Sequence, residues 1–258
     1  MPKYVEVEEA RNMTGLRLVL SPGVPGPWSE AAKGIFYVKK IPYIPVRQKF
    51  GQDPALKEWT AQESAPVAAY NDERPRSTWI EQLYLAERLA PNPPLIPAAI
   101  DDRILMFGFC NELCGENGFS WSKRILLFHA NLTTPGLSEK ERALSRALAS
   151  KYGYDPVLAD GARARVVEIL RALSARLEQQ RGRGSRYFIG NQLSALDIYW
   201  ATFCGIINPM PDDLCPMSPG FRKTYTNTDP AIAAAASPIL YEHRDFIYHE
   251  YLELPVDN

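Results

Sequence analysis

The sequence predicts a small α/β domain followed by an all-helical domain. Signals for strands and helices alternate over about the first 90 residues, whereas helical patterns dominate from residue 102 onward. The proline-rich stretch "APNPPLIPAAIDD" lies between the two regions and has the composition of a linker. We therefore assign residues 1–90 to the α/β domain, 91–101 to the linker and 102–258 to the helical domain.

The α/β region begins with a strand, a helix and a second strand. The apolar run "LRLVL" at 16–20 predicts a buried strand, and a Pro/Gly loop joins it to a helix predicted over 28–40. The second strand, at 43–48, contains Pro45, which donates no ladder hydrogen bond and therefore belongs at a sheet edge. A strand, a crossover helix and a parallel strand form a right-handed βαβ unit.

The rest of the α/β region predicts a hairpin and two helices. The runs "VAAY" and "ERPR" flank Asn71-Asp72, which are favourable turn residues. A short helical piece is expected over 54–62. A longer helix over 77–90 begins at Ser77 or Thr78, either of which can cap it, and ends before "PNPP".

Apolar residues at helical spacing predict the elements of the second domain. The first helix is expected to break near Gly115 or Gly118. Residues 208–230 are rich in proline and are expected to be irregular. The predicted helices cover 102–130, 138–150, 157–181, 193–207 and 230–251.

Composition excludes several classes of function. A net charge of −1 gives no electrostatic footprint for nucleic acid or an anionic membrane, and no apolar run approaches the ~20 residues of a membrane span. The four cysteines form no C-x-x-C pair, and the three histidines match no metal motif, so no metal site is expected. The N-terminus has no signal-peptide pattern, and we expect a cytoplasmic protein with reduced cysteines.

Three motifs in this layout resemble those of glutathione S-transferases. "SAPV" places Pro66 where that family has a cis-proline, and "STWIEQLYLAERL" is similar to the helix that binds the γ-glutamyl group. "YFIGNQLSALDIYWATF" resembles the family's core motif, in which Ser194 and Asp197 form a helix-capping box. The resemblance covers residues 15–250 and implies a thioredoxin-like first domain joined to the family's helical second domain.

The resemblance also implies where glutathione binds as co-substrate. The backbone of Ala65, before Pro66, would pair with the peptide as an added strand does. The γ-glutamyl carboxylate would lie at the start of the 77–90 helix beside Ser77 and Thr78. The chain departs from the family here, because Ser77 replaces the usual acidic residue and Ser64 replaces a common lysine.

The group that activates the glutathione thiol is left open by the sequence. Alignment places Gly26 at the position where the family carries a catalytic Cys, Ser or Tyr. The alternatives are the hydroxyl of Ser29, the hydroxyl of Ser21, the backbone N–H groups of Trp28 and Ser29 at the helix start, or no activating group.

The electrophile is expected between the domains, against the helix that carries Asn111, Glu112 and Trp121. The alternatives for these polar groups are a hydrogen-bonded core network and a dimer contact. The resemblance implies a homodimeric transferase that adds the glutathione thiolate to a hydrophobic small molecule. The alternatives are a binding or structural protein that retains the fold without the chemistry, and a glutathione-dependent isomerase or ether-cleaving enzyme.

Overall fold

A computed structural model describes residues 3–49, 51–133, 135–136 and 138–256. It contains a three-stranded sheet in the order β2-β1-β3, formed by β1 (Leu16–Leu20), β2 (Tyr43–Arg47) and β3 (Val67–Tyr70). The central strand β1 is buried along its whole length, and runs parallel to β2 and antiparallel to β3. The predicted edge position of β2 is confirmed, with Pro45 opposite Leu18.

Four helices accompany the sheet: α1 (Val7–Ala10), α2 (Pro27–Val38), α3 (Pro54–Thr60) and α4 (Trp79–Leu89). The short α1 was not predicted by the sequence pattern. The expected hairpin is also reduced, because its second arm pairs only through a bridge between Ala68 and Arg76. Pro75 precedes that bridge and has no N–H with which to continue the ladder.

The second region consists of helices, as predicted, but two boundaries differ. Residues 208–230 include a helix that begins at Pro219 with Ser218 as its cap, so the expectation of an irregular segment is wrong there. The predicted 230–251 helix is two helices, interrupted at Ser237 before Pro238. The helices are α5 (Ile100–Cys114), α6 (Phe119–Thr133), α7 (Glu139–Lys151), α8 (Pro156–Gly182), α9 (Ala195–Phe203), α10 (Pro219–Tyr225), α11 (Pro230–Ala235) and α12 (Pro238–Tyr251).

The predicted break between α5 and α6 lies at residues 115–118 and depends on glycine. A Cβ atom at Gly115 would lie 2.7 Å from the carbonyl oxygen of Asn111, and one at Gly118 would lie 2.6 Å from that of Glu112. At both positions a side chain would collide with a backbone carbonyl oxygen. The two glycines therefore allow the chain to turn and start α6 close to the end of α5.

Helix α9 forms the centre of the core and fixes α2 against it. Every residue of α9 is buried, and its Trp200 donates a hydrogen bond from Nε1 to the carbonyl of Leu240, 2.8 Å away. Gly34 of α2 allows close contact, since a Cβ there would lie 3.2 Å from Ile198 Cγ2 and 3.0 Å from Leu252 Cδ2. Within the described ranges, no helix combines the length and apolar character needed to span a bilayer.

The carboxylate of Asp197 anchors the start of α9. One oxygen accepts hydrogen bonds from Ser194 N–H (2.8 Å) and Ser194 Oγ (2.7 Å), and the other accepts one from Phe188 N–H (2.9 Å). Nε2 of His243 lies 3.0 Å from this second oxygen. Since Asp197 is fully buried, these partners replace the water that its charge has lost.

Replacing Asp197 by alanine is expected to lower the free energy of unfolding by about 3 kcal/mol, because several buried donors lose their acceptor together. Ser194→Ala is expected to cost about 1 kcal/mol, the usual value of a helix cap. Urea denaturation followed by circular dichroism measures both. As a control, Asp160→Asn on the exposed side of α8 should change stability by less than ~0.5 kcal/mol. A cost for Asp197→Ala no larger than the control's would contradict the anchoring role.

Candidate active site

The first turn of α2 presents backbone donors that have no partner in their own helix. Gly26 is the N-cap and has no side chain to cap with, while Pro27 at the first position has no N–H. The first helical bond runs from the Glu30 N–H to the carbonyl of Gly26, at 2.9 Å. The N–H groups of Trp28 and Ser29 therefore form the positive end of the helix dipole, which favours the binding of an anion.

A cavity of about 190 Å³ lies at this helix end, between the sheet domain and the helical domain. It brings together four residues that the sequence predicted for the site, namely Ser21, Trp28, Ser29 and Ala65. Helical-domain residues complete the wall. They are Ser120, Arg124, Leu127, Tyr152, Ile206 and Tyr225.

Two loops of the sheet domain are joined beside the cavity. Ser21 Oγ lies 2.5 Å from Gln48 Oε1 and donates its proton there. Gln48 Nε2 in turn donates to the carbonyl of Glu63 at 2.8 Å. The hydroxyl proton of Ser21 is thus already engaged, whereas Ser29 places its hydroxyl in the first turn of α2, 7% exposed.

The peptide bond between Ala65 and Pro66 is cis, as the sequence motif implied. Gln82 of α4 donates from Nε2 to the carbonyl of Pro66 at 3.1 Å, so the start of α4 is tied to this turn. Thr78 is the N-cap of α4 and forms a capping box with Glu81; its Oγ1 lies 2.9 Å from Glu81 Oε2. Ser77 and Thr78 lie outside the cavity lining, at the start of α4.

Arg124 of α6 is held between two aromatic rings at the far wall. Its guanidinium carbon lies 4.3 Å from the ring centre of Trp28 and 4.2 Å from that of Tyr152. Burial lowers the pKa of Arg124, and the proximity of Tyr152 and Tyr225 acts in the opposite direction. Arg124 forms no ion pair with any carboxylate in the described ranges, which is unusual for a desolvated cation.

Ser120 lies one helical turn before Arg124, is 1% exposed, and lines the same cavity. Within the described part of the chain, its Oγ has no hydrogen-bond partner. Tyr225 of α10 adds a phenol whose pKa burial raises to about 12, so it remains protonated at neutral pH. Sequence patterns did not single out these residues, because only tertiary packing brings α6, α10 and the turn before α8 together.

The turn between α7 and α8 closes over the cavity. Lys151 Nζ donates to the carbonyl of Glu63 at 2.8 Å, and the hydroxyl of Tyr152 lies 3.4 Å from Ser64 Oγ. With these contacts in place, the enclosed volume is smaller than the ~300–1,000 Å³ of a site that surrounds a drug-sized ligand. The cavity therefore suits a small group, such as one side chain of a peptide, rather than a whole tripeptide.

The residues predicted for the electrophile do not meet at this cavity. Asn111 and Glu112 lie outside its lining, and Glu112 forms an ion pair with Arg165 of α8. Trp121 lies behind the wall, 5.5 Å from the Arg124 guanidinium and edge-on to Tyr152. Of the three, only Trp121 supports the site, and it does so through Arg124 and Tyr152.

A larger groove of about 1130 Å³ runs between the second half of α2, residues 40–43 and the chain end at 248–256. Aromatic side chains such as Tyr37 and Tyr251 line much of it. None of the sequence-predicted site residues borders it, and it includes neither the first turn of α2 at Trp28 nor the backbone of Ala65. The smaller cavity is therefore the candidate active site.

Comparison with known proteins agrees with this architecture. The family of glutathione S-transferase C-terminal domains matches residues 155–229. A glutathione transferase family member from Pseudomonas fluorescens Pf-5, solved with two glutathione bound, is 12% identical with a TM-score of 0.63, over 96% of this chain and 98% of that one. A monomeric glutathione S-transferase from the hookworm Necator americanus is 14% identical with a TM-score of 0.57, over 93% and 94%.

A beta-etherase from Sphingobium sp. strain SYK-6 is 17% identical with a TM-score of 0.56, over 91% of this chain and all of that one. A comparison with curated protein sequences finds no match. The fold is a thioredoxin-like domain joined to an all-helical domain of the transferase type. The chain therefore has the glutathione S-transferase fold, and its residues 155–229 match the C-terminal domain of that family.

All four cysteines in the described part of the chain are free thiols, and all are buried. Burial raises the pKa of Cys110 and Cys114 well above the ordinary value, that of Cys204 to about 12 and that of Cys215 to about 11. These thiols are therefore protonated at neutral pH and poorly nucleophilic. None of them lines the candidate cavity.

We expect a disulfide reagent to modify the native protein far more slowly than free glutathione at neutral pH, because a protonated, buried thiol is neither reactive nor accessible. After denaturation, all four cysteines should react. The measurement is the release of coloured thiolate from the reagent with and without guanidinium. One fast-reacting thiol in the native protein would show that a cysteine is activated after all.

Proposed function

We propose that the protein binds glutathione with its cysteinyl sulfur in this cavity and transfers the thiolate to a hydrophobic electrophile. The observation that carries the proposal is the uncapped first turn of α2, where the N–H groups of Trp28 and Ser29 border the same cavity as Ala65. A helix N-terminus stabilises a bound thiolate by the same physics that lowers the pKa of a cysteine there. Related folds solved with glutathione bound support the choice of ligand.

The remainder of glutathione lies along the sheet domain in this proposal. Ala65 precedes Pro66 at the end of the cavity and offers its backbone N–H and C=O to the extended peptide, as an edge strand does. The γ-glutamyl carboxylate reaches the start of α4, where Ser77 supplies a hydroxyl. Thr78 acts mainly through its backbone, since its hydroxyl is engaged by Glu81.

Between the two candidate hydroxyls, the geometry favours Ser29. Its hydroxyl belongs to the helix turn that faces the sulfur, whereas the Ser21 proton is directed to Gln48. Ser29 donates a hydrogen bond to the sulfur, and Ser21 holds the loops in place. The proposal therefore assigns Ser29 a catalytic role and Ser21 a positioning role.

Millimolar glutathione is expected to raise the melting temperature of the protein, because a ligand that binds only the folded state stabilises it by mass action. Ser29→Ala should then lower kcat/KM with glutathione by about tenfold or more, the usual effect of removing one donor to a developing or stabilised anion. Ser150→Ala, on the exposed face of α7, is the matched control and should leave kcat/KM unchanged. The electrophiles tested should include an aryl halide, an epoxide and an aryl ether.

The outcomes of this experiment separate the alternatives. A melting temperature that glutathione does not move contradicts the proposal as a whole. A clear shift without turnover of any electrophile points to a binding protein that has lost the chemistry. Turnover restricted to the aryl ether selects the ether-cleaving reaction of the Sphingobium relative.

A second part of the proposal is a homodimer formed through α4 and α5. Tyr84, Ile100 and Ile104 are 44%, 65% and 62% exposed, which is high for large apolar side chains. The two isoleucines are one turn apart on α5, and Tyr84 stacks on Phe107 of the same helix at 5.8 Å. These exposed side chains offer apolar surface that a second copy can cover.

We expect Ile104→Glu to convert the dimer to a monomer, because a charge would be buried in an apolar contact. Val157→Glu is the control. It introduces the same charge at a residue that is 75% exposed on α8, and it should leave the dimer intact. Sedimentation velocity measures both, and a wild-type protein that sediments as a monomer would contradict this assignment.

The proposed compartment is the cytoplasm. The described cysteines are unpaired, and proteins with several free thiols are typical of reducing compartments. Glutathione is also the main thiol buffer of the cytosol. The supply of glutathione and the reduced state of the cysteines therefore both favour the cytoplasm.

A further inference from the structure

We propose that two groups of the helical domain activate glutathione. The guanidinium of Arg124 supplies a positive charge, and the hydroxyl of Ser120 supplies a hydrogen bond. This inference rests on the proposed function and names the groups that the sulfur meets opposite α2. When glutathione binds, its S–H releases a proton to solvent, and the resulting thiolate accepts hydrogen bonds from Ser120 and Arg124. The sulfur lone pair then forms the S–C bond, and the leaving group departs with its bonding electrons.

The geometry places both groups on one face of α6. Ser120 and Arg124 are four residues apart, which is one helical turn, and both line the cavity that Trp28 and Ser29 border from the other side. The rings of Trp28 and Tyr152 cover the guanidinium on two sides at 4.3 and 4.2 Å. The N–H donors at its edge are therefore the part that a ligand in the cavity can reach.

The charge of Arg124 is available because no acidic side chain neutralises it. Within the described ranges, it forms no ion pair. The side chains of Tyr152 and Tyr225 lie beside the Arg124 guanidinium. The pKa of Tyr225 is about 12, so this phenol stays neutral at pH 7. Glu30, the single acidic residue of α2, is paired with Lys33 at 2.9 Å. A cation within about 4–6 Å of an acid lowers the pKa of that acid by about 1–3.

Ser120 provides an independent observation that a ligand belongs here. Its hydroxyl is 1% exposed and without a partner, although buried polar groups are almost always hydrogen-bonded. A thiolate in the adjacent cavity supplies the missing acceptor. Gly26 has no side chain, although the resemblance places a catalytic group at that position.

The test measures the thiol pKa of bound glutathione, from the ultraviolet absorbance of the thiolate as a function of pH. Arg124→Gln removes the charge and is expected to raise this pKa by about 1–3. Ser120→Ala removes one donor and should raise it by less, with about a tenfold loss of kcat at neutral pH. Arg171→Gln, an exposed arginine on α8, is the matched control and should leave the pKa unchanged.

Two further measurements separate activation from binding or folding. Affinity for S-methylglutathione, which has no ionisable thiol, should be nearly the same in Arg124→Gln and wild type. The kcat of Arg124→Gln should recover as the pH rises through the new thiol pKa, which a purely structural defect would not produce. An unchanged thiol pKa in Arg124→Gln overturns the inference.

If Arg124→Gln does not fold, Arg124→Lys and Ser120→Ala decide the question. Lysine keeps the charge but loses the planar contact with the two rings, so we expect a smaller rise in the thiol pKa. If the thiol pKa rises in neither of these two variants, the inference is overturned. A wild-type protein that does not bind glutathione at all is a different result, because it contradicts the proposed function itself.

Discussion

The close packing of α2 against α9 is the constraint on which the candidate site depends. Gly34 allows this contact, since any side chain there would meet Ile198 and Leu252. At the other end of α2, Trp28 donates from Nε1 to the carbonyl of Cys114, 3.0 Å away, and so ties the first turn to α5. The two contacts hold the helix at both ends. The orphan N–H groups of its first turn therefore face a fixed point between the domains, as the proposed binding of a thiolate there requires.

The Pro/Gly loop before α2 serves the same purpose. A helix that begins with a capping Ser or Asp would satisfy its own first N–H groups. This chain has Gly26 at the cap and Pro27 at the first position, so it leaves donors unpaired and fixes the backbone angle at which the helix starts. The glycine at position 26 thus accounts both for the missing catalytic side chain and for the uncapped helix. Because no side chain extends from Gly26, the cavity beside Trp28 has room for the proposed ligand.

Local sequence signals predicted most elements but not the opposite wall of the cavity. The strand at 16–20, the edge position of Pro45 and the break at Gly115 and Gly118 each follow from a few adjacent residues. Helix α10 was missed because its seven residues lie in a proline-rich stretch and carry only the Ser218 cap as a signal. The stacking on Arg124 brings together Trp28 and Tyr152, which are 124 residues apart in the sequence, and no local pattern contains that information.

The proposed function divides two tasks between the domains. The sheet domain offers neutral donors from the first turn of α2 and from Ala65, which suit the binding of a peptide. The helical domain offers Arg124, a cation with no carboxylate partner within the described ranges, together with the unpartnered hydroxyl of Ser120. Since Trp28 belongs to the first domain and stacks on Arg124 of the second, a shift between the domains would change the distance between the proposed sulfur position and the charge of Arg124. In the proposed mechanism, activation of the thiol is therefore coupled to the domain interface, and the contacts of Lys151 and Tyr152 with residues 63–64 lie where they can stabilise the closed arrangement.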